Sequence, residues 1–205
     1  KEVEKPVKAE INDEFAKSLG MEGLDQLKGL VTTQIKQELD QASRMKLKRE
    51  LLDALEAAHD FELPPSLVER EFEGIWKQVT DGLEREGKTF ADENKTEDEA
   101  RAEYRKIAER RVRLGLVVGE IGDKNKIEVS QDELRAALVE QARRFPGQEK
   151  EVYEYFQKTP GAIQEIRAPI FEDKVIDFVL ELAKPAEKTV SRKELIESLE
   201  KTVDA

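Results

Sequence analysis

The sequence predicts an all-α fold, and three observations carry that prediction. Apolar residues recur every three or four positions along most of the chain. Ser or Thr stands three residues ahead of Glu at three places where an apolar run begins, the signature of a capping box. Charged residues make up 40% of the chain and hydrophobic ones 38%, a ratio that suits long helices with wide solvated faces better than a thick globular interior. With 205 residues there is room for one or two compact domains.

The elements follow in order. Asn12 and Asp13 can cap a short helix carrying Phe15 and Leu19, which Gly20 stops. A long helix runs to about Ala58 on a stripe of Leu24, Leu27, Val31, Ile35, Leu39 and Ala42 that is expected to face one packing partner, continuing less cleanly through Leu51, Leu52 and Leu55. Pro65 suits the first turn of the next helix, whose face is Val68, Phe72, Ile75, Trp76, Val79 and Leu83 and whose end is near Gly87. KTFADENK reads as a loop. Thr96 and Glu99 then open a partner helix bearing Ala100, Tyr104, Ile107, Leu114, Val118 and Ile121, with Gly122 as its stop.

After a short β-like run, KIEV, the pair Ser130 and Glu133 starts a helix with Leu134, Leu138 and Ala142 that Pro146 and Gly147 close. A further short helix bears Val152, Tyr153, Tyr155 and Phe156. Thr159 and Pro160 begin a long helix through Leu182, which Pro169 must kink or interrupt because its ring clashes with the carbonyl four residues back. Ser191 and Glu194 cap the last helix, with Leu195, Ile196 and Leu199.

Candidate chemistry is sparse. A net charge of -11 repels a phosphate backbone or an anionic membrane, and no apolar stretch approaches the roughly 18 residues of a membrane span. There are no cysteines, so neither a disulfide scaffold nor a thiolate metal site can form. His59, the only histidine, reads as a helix-end surface residue, and one histidine cannot build a histidine-rich metal site. Carboxylate pairs at helical spacing are expected by chance in so acidic a chain, and no phosphate-binding glycine motif occurs. The run RKIAERRVR, Arg105 to Arg113, reads as a solvated helix face, and Gly115 with Gly119 as a site of close helix packing. The apolar stripes on the helices around Trp76 and Tyr155 admit two readings. They are core, or they line an open groove, because this composition cannot hide them all.

Four segments together resemble the C-terminal domain of trigger factor, the bacterial ribosome-associated chaperone: INDEFAKSLG with LDQLKGLV; LPPSLVEREFEGIW; RRVRLGLVVGEIGDKNKIEVSQDEL; and IRAPIFEDKVIDFVLELAKPAEKTVS. The chain departs from the family at Lys184 to Glu187, where the usual reading is closer to AKVTEK and Pro185 is expected to loosen the local strand or turn. The resemblance implies an elongated helical body with two protruding arms forming an open cradle. Arm 1 is expected at about 64–123 and arm 2 at about 130–160 of a domain spanning 10–205, with 1–9 as the remnant of an interdomain linker. It also implies a cytoplasmic, ATP-independent binding domain for unfolded or nascent polypeptides, with no cofactor and no catalysis. Ribosome docking and proline isomerisation would belong to domains not found in this sequence. Loose alignment with the family, with the helical faces, gives Trp76, Val79 and Leu83 on one arm and Phe145, Val152 and Tyr155 on the other as client contacts. Weak self-association is expected of exposed apolar spots. The competing readings are a helical adaptor for one specific partner, a periplasmic chaperone of related architecture, and, last, an enzyme.

Overall fold

A computed structural model of the chain describes residues 10–159 and 161–200. The expected linker remnant at 1–9 and the expected helix start at Pro160 lie outside the described residues. Among those residues the fold is all helical without a strand: α1 Asp13–Ser18, α2 Leu24–Ala58, α3 Pro65–Glu86, α4 Glu97–Lys124, α5 Gln131–Arg143, α6 Glu149–Lys158, α7 Ala162–Ala183 and α8 Arg192–Glu200. The helices gather into two compact units, one holding the chain up to Arg49 and from Glu187 onward, the other Glu50–Ala186.

In the first unit, Asn12 caps α1 by accepting the Phe15 N–H at 2.9 Å, and Gly20 makes the turn with φ +81°. Asp13 Oδ1 accepts the Leu24 N–H at 2.7 Å, tying α1 to the start of α2. The stripe on α2 is not packed as expected: no residue of α2 is buried, and Leu30, Val31 and Ile35 stay exposed. The α8 capping box is present, with the Ser191 N–H and hydroxyl both donating to Glu194 Oε2 at 2.8 and 2.9 Å.

The second unit is built on the α3–α4 hairpin. Pro65 sits in the first turn of α3, and Gly87 ends it with φ 65°, as the turn chemistry requires. Val68, Phe72 and Ile75 of α3 and Ala108 of α4 are buried together, with Leu63, Trp76, Val79, Tyr104, Ile107 and Val112 packed partly against them. The basic run of α4 is spent on pairing. Arg105 reaches Glu69 at 2.7 Å and Arg111 reaches Glu71 at 3.0 Å on α3, while Arg110 meets Asp53 and Glu56 on α2. Such exposed pairs align the helices more than they stabilise them, each contributing on the order of 0–1 kcal/mol.

Two expectations about α4 are corrected. The helix does not stop at Gly122 but runs to Lys124, and Lys126 takes the left-handed turn at φ 54° while the Ile127 N–H closes back on the Gly122 carbonyl at 2.9 Å. Gly115 and Gly119 have nothing within 4 Å of where a β-carbon would stand, so they are not close-packing glycines; Gly122 is, under the Phe171 ring of α7. KIEV forms no strand, and α7 runs unbroken across Pro169. In α7, Val175 and Ile176 are the largest fully buried side chains. The helices α5 and α6 pack on α7, and Lys174 of α7 holds Glu133, which completes the capping box of α5 with Ser130, at 2.8 Å.

Candidate functional site

The six residues singled out on sequence grounds fall into two groups within the second unit, and the structure treats the groups differently. On α3, Trp76 is caged. Its ring stacks on Phe72 at 5.9 Å and on Phe90 at 5.0 Å, meets Tyr104 edge-on at 6.1 Å, and carries the Arg101 guanidinium over its face at 4.3 Å. Phe90 comes from the segment expected to be plain loop. That segment is instead a 3₁₀ turn, Phe90–Glu93, fixed by its own capping box between Thr89 and Asp92. Trp76 and Val79 therefore belong chiefly to the hairpin cluster, with partial exposure, and Leu83 is also half-buried.

The other group is open. Phe145, just past α5, is 46% exposed, and Tyr155 on α6 is 50% exposed. Tyr155 leans edge-on against Phe156 at 5.2 Å, and Phe156 and Val152 are half-buried beside it. The turn that presents Phe145 needs Gly147 at φ +83°, a backbone that other residues rarely adopt. The platform under these side chains is anchored electrostatically. Glu133 accepts from Lys174 Nζ and from the Ser130 N–H and hydroxyl, and these bonds lower its carboxyl to about 2 from 4.5.

A third feature was missed in the sequence. Where the chain leaves α2 and enters α3, Phe61 divides two clefts. One is apolar, about 330 Å³, and lined by His59, Phe61, Leu116, Val117, Glu120, Ile121, Lys124 and Asn125. The other, about 420 Å³, has carboxylates and guanidinia among its walls. Arg113 builds the divide: its Nη1 donates to the carbonyls of His59 and Phe61, each at 3.1 Å, and its guanidinium lies 5.3 Å from the Phe61 ring centre. His59 is exposed at the helix end as expected, with Nδ1–H donating to the Leu55 carbonyl at 2.8 Å. The only sequence signal for this feature was that Phe61, Leu116 and Ile121 were apolar residues just outside the main helical stripes or at their ends.

The arrangement can bind but offers little for acid–base or metal chemistry. Among the described residues no group of three or more metal-binding side chains forms, and no buried side-chain nitrogen or oxygen lacks a hydrogen bond. No helix among them is long and apolar enough to cross a membrane. What the surface presents is separate, half-exposed apolar side chains set among charges, each able to gain on the order of 1 kcal/mol if a partner covered the rest of it.

Residues 23–181 match the family described as bacterial trigger factor protein (TF) C-terminus. Among curated relatives, the trigger factor of Azorhizobium caulinodans is 57% identical over 195 residues, 95% of this chain and 43% of the relative. That of Afipia carboxidovorans is 58% identical over 193 residues, 94% and 43%. The chain thus spans less than half the length of these relatives. A solved structure described as "Promiscuous Substrate Recognition in Folding and Assembly Activities of the Trigger Factor Chaperone" matches in fold with a TM-score of 0.53 at 24% identity, covering 84% of this chain and 43% of that one.

Proposed function

The chain belongs to the bacterial trigger factor C-terminal family, and from that premise we propose that it is an ATP-independent chaperone domain that holds unfolded or nascent polypeptides and keeps them from aggregating. The observation that carries this reading is the half-exposure of Phe145 and Tyr155 on the α5–α6 pair, in a unit whose other helices leave their aromatics buried or only partly exposed. Dispersed apolar spots among charges stay soluble when empty and accept many sequences when occupied, because each contact is made by side chains without a fixed register. The same texture supports weak self-association.

In this reading α3–α4 and α5–α6 are the two arms of a cradle, with arm 1 at about 64–123 and arm 2 at about 130–160. Phe145, Val152 and Tyr155 contact clients directly; Trp76, Val79 and Leu83 do so only through the edges that the hairpin leaves open. The domain works in the cytoplasm, without a cofactor, by binding and not by catalysis, and ribosome contact belongs to other parts of the full-length proteins. An aggregation assay tests it. The chain should suppress light scattering by several unrelated unfolded proteins, and Phe145→Ser with Tyr155→Ser should weaken that suppression while the helical circular dichroism stays unchanged. Saturable binding to one partner, with no effect on unrelated clients, would mean an adaptor instead.

A further inference from the structure

The α5–α6 pair is tied lightly to the rest of the second unit. Its two helices pack mainly on each other and on α7, and they bury little in doing so: Ala142 is the one buried residue of α5, and α6 has none. The α3–α4 hairpin, by contrast, buries Val68, Phe72, Ile75 and Ala108 together. Elements with so few buried apolar contacts open at the low end of a protein's stability range.

Both connections to the pair have the geometry of pivots. On entry, Lys126 takes a left-handed turn at φ 54°, and residues 127–129 run on without helix or strand to the Ser130 cap. A cleft of about 540 Å³ lies between 126–128 and Lys174, Asp177, Phe178 and Glu181 of α7, which leaves this segment room to move. On exit, Gly161 stands at φ 88°, a backbone that glycine adopts at little cost. Between the pivots, Lys174 Nζ of α7 donates to both carboxylate oxygens of Glu133 at the start of α5, at 2.8 and 2.9 Å. The two side chains are 35% and 38% exposed, so the pair is open to water and to screening by salt.

We propose that α5 and α6 form a hinged flap on α7, latched by Glu133 and Lys174, that swings as one body about Lys126 and Gly161 between a shut and an open state. A weak latch over a small seam keeps two such states within reach of each other. The flap carries Phe145 and Tyr155, so the swing displaces both rings together. Ionic strength controls it, because screening the latch favours the open state. The inference goes beyond the chaperone reading and does not need it: latch, seam and pivots are properties of the fold, whatever the domain holds.

The test uses the whole chain. It has no cysteine, so Lys106→Cys on α4 and Lys150→Cys on α6, both exposed, take nitroxide labels selectively, and double electron–electron resonance reads the distance between them. At low salt the labelled parent should be mainly shut. Lys174→Met keeps the Ser130–Glu133 cap and removes the latch, and should raise the ratio of open to shut about two- to fivefold, the effect of an exposed ion pair. Lys174→Arg should restore the parent ratio. Ser130→Ala weakens the cap but keeps the ion pair, and should leave the distances unchanged. Raising the salt to about 1 M should carry the parent toward the Lys174→Met distribution and leave that variant where it was. A distribution that neither Lys174→Met nor salt moves overturns the proposal, as does a salt-driven shift that comes with loss of helical circular dichroism, because the helices would then be melting and not swinging. The salt titration needs no change at the latch, so it decides the matter even if Lys174→Met folds poorly. Failure of the chaperone reading would show in the aggregation assay and would leave these distances as they are.

Discussion

The ring of Phe171 on α7 occupies the space that a β-carbon on residue 122 of α4 would need. Close-packed interiors have no slack for such an atom, so Gly122 is the point where α4 and α7 can approach. Gly122→Ala should therefore destabilise the second unit by about 1–3 kcal/mol, the usual range for overpacking. Gly115→Ala and Gly119→Ala, with open space above them, should be neutral or stabilise by about 0.5–1 kcal/mol through reduced chain entropy. Urea unfolding followed by circular dichroism separates the two cases. If Phe171→Leu in the Gly122→Ala background recovers part of the loss, the clash is the cause; strict additivity would point elsewhere.

Trp76, the single tryptophan, reports on its own cage. Arg101 lies 4.3 Å above the ring and is paired with Glu97 at 2.8 Å, so it shields one face. Arg101→Ala should raise acrylamide quenching of the fluorescence and move the emission to the red while changing stability by no more than about 1 kcal/mol. Phe90→Ala should do both more strongly, because it removes a stacked ring as well. Quenching that stays at the parent level in both variants would mean that these residues do not cover the indole.

Much of the fold was legible because its signals are local. Capping boxes at Thr96, Ser130 and Ser191, Pro65 at a helix start and Gly87 at a helix end depend on residues within one turn, and each acts as the pattern requires. The misreadings concern relations across the chain. A glycine spacing cannot tell close packing from open surface, so the pattern points to Gly115 and Gly119 where the fold uses Gly122. The apolar stripe on α2 looked like a buried face, yet periodicity records amphipathicity and not the presence of a partner. Trp76 and Tyr155 were indistinguishable as aromatics on helical stripes. What separates them is Phe90, brought onto Trp76 from a segment with no helical periodicity.

That separation is measurable as stability. Trp76→Ser removes a ring that touches three other aromatics and an arginine, and should cost about 2–4 kcal/mol, somewhat below the loss of a fully buried tryptophan. Phe145→Ser and Tyr155→Ser remove half-exposed rings and should each cost about 1 kcal/mol or less. Thermal melts of the three variants decide the assignment. If Tyr155→Ser melts as early as Trp76→Ser, then Tyr155 is structural and the α5–α6 contact surface is lost as a candidate.

Acid sensitivity should concentrate at Glu133. Lys174 Nζ, with the Ser130 N–H and hydroxyl, lowers its carboxyl to about 2 in the folded chain against an ordinary 4.5. A depressed carboxyl contributes stability above the unfolded value and loses it as the pH falls toward the folded one, so the contribution is full at neutral pH and fades between 4.5 and about 2. Glu133→Gln keeps an oxygen to accept the Ser130 N–H but abolishes the charge opposite Lys174. The difference in melting temperature between parent and variant should thus be largest at neutral pH and shrink across that window. Glu99→Gln provides the comparison, since Glu99 is lowered by the Thr96 N–H and hydroxyl and has no counterpart to Lys174 among its causes beyond a weak attraction to Lys95. A Glu133→Gln difference that is flat with pH would show that the Lys174 pair does not link α5 to α7 in solution, and that the cap alone sets the start of α5.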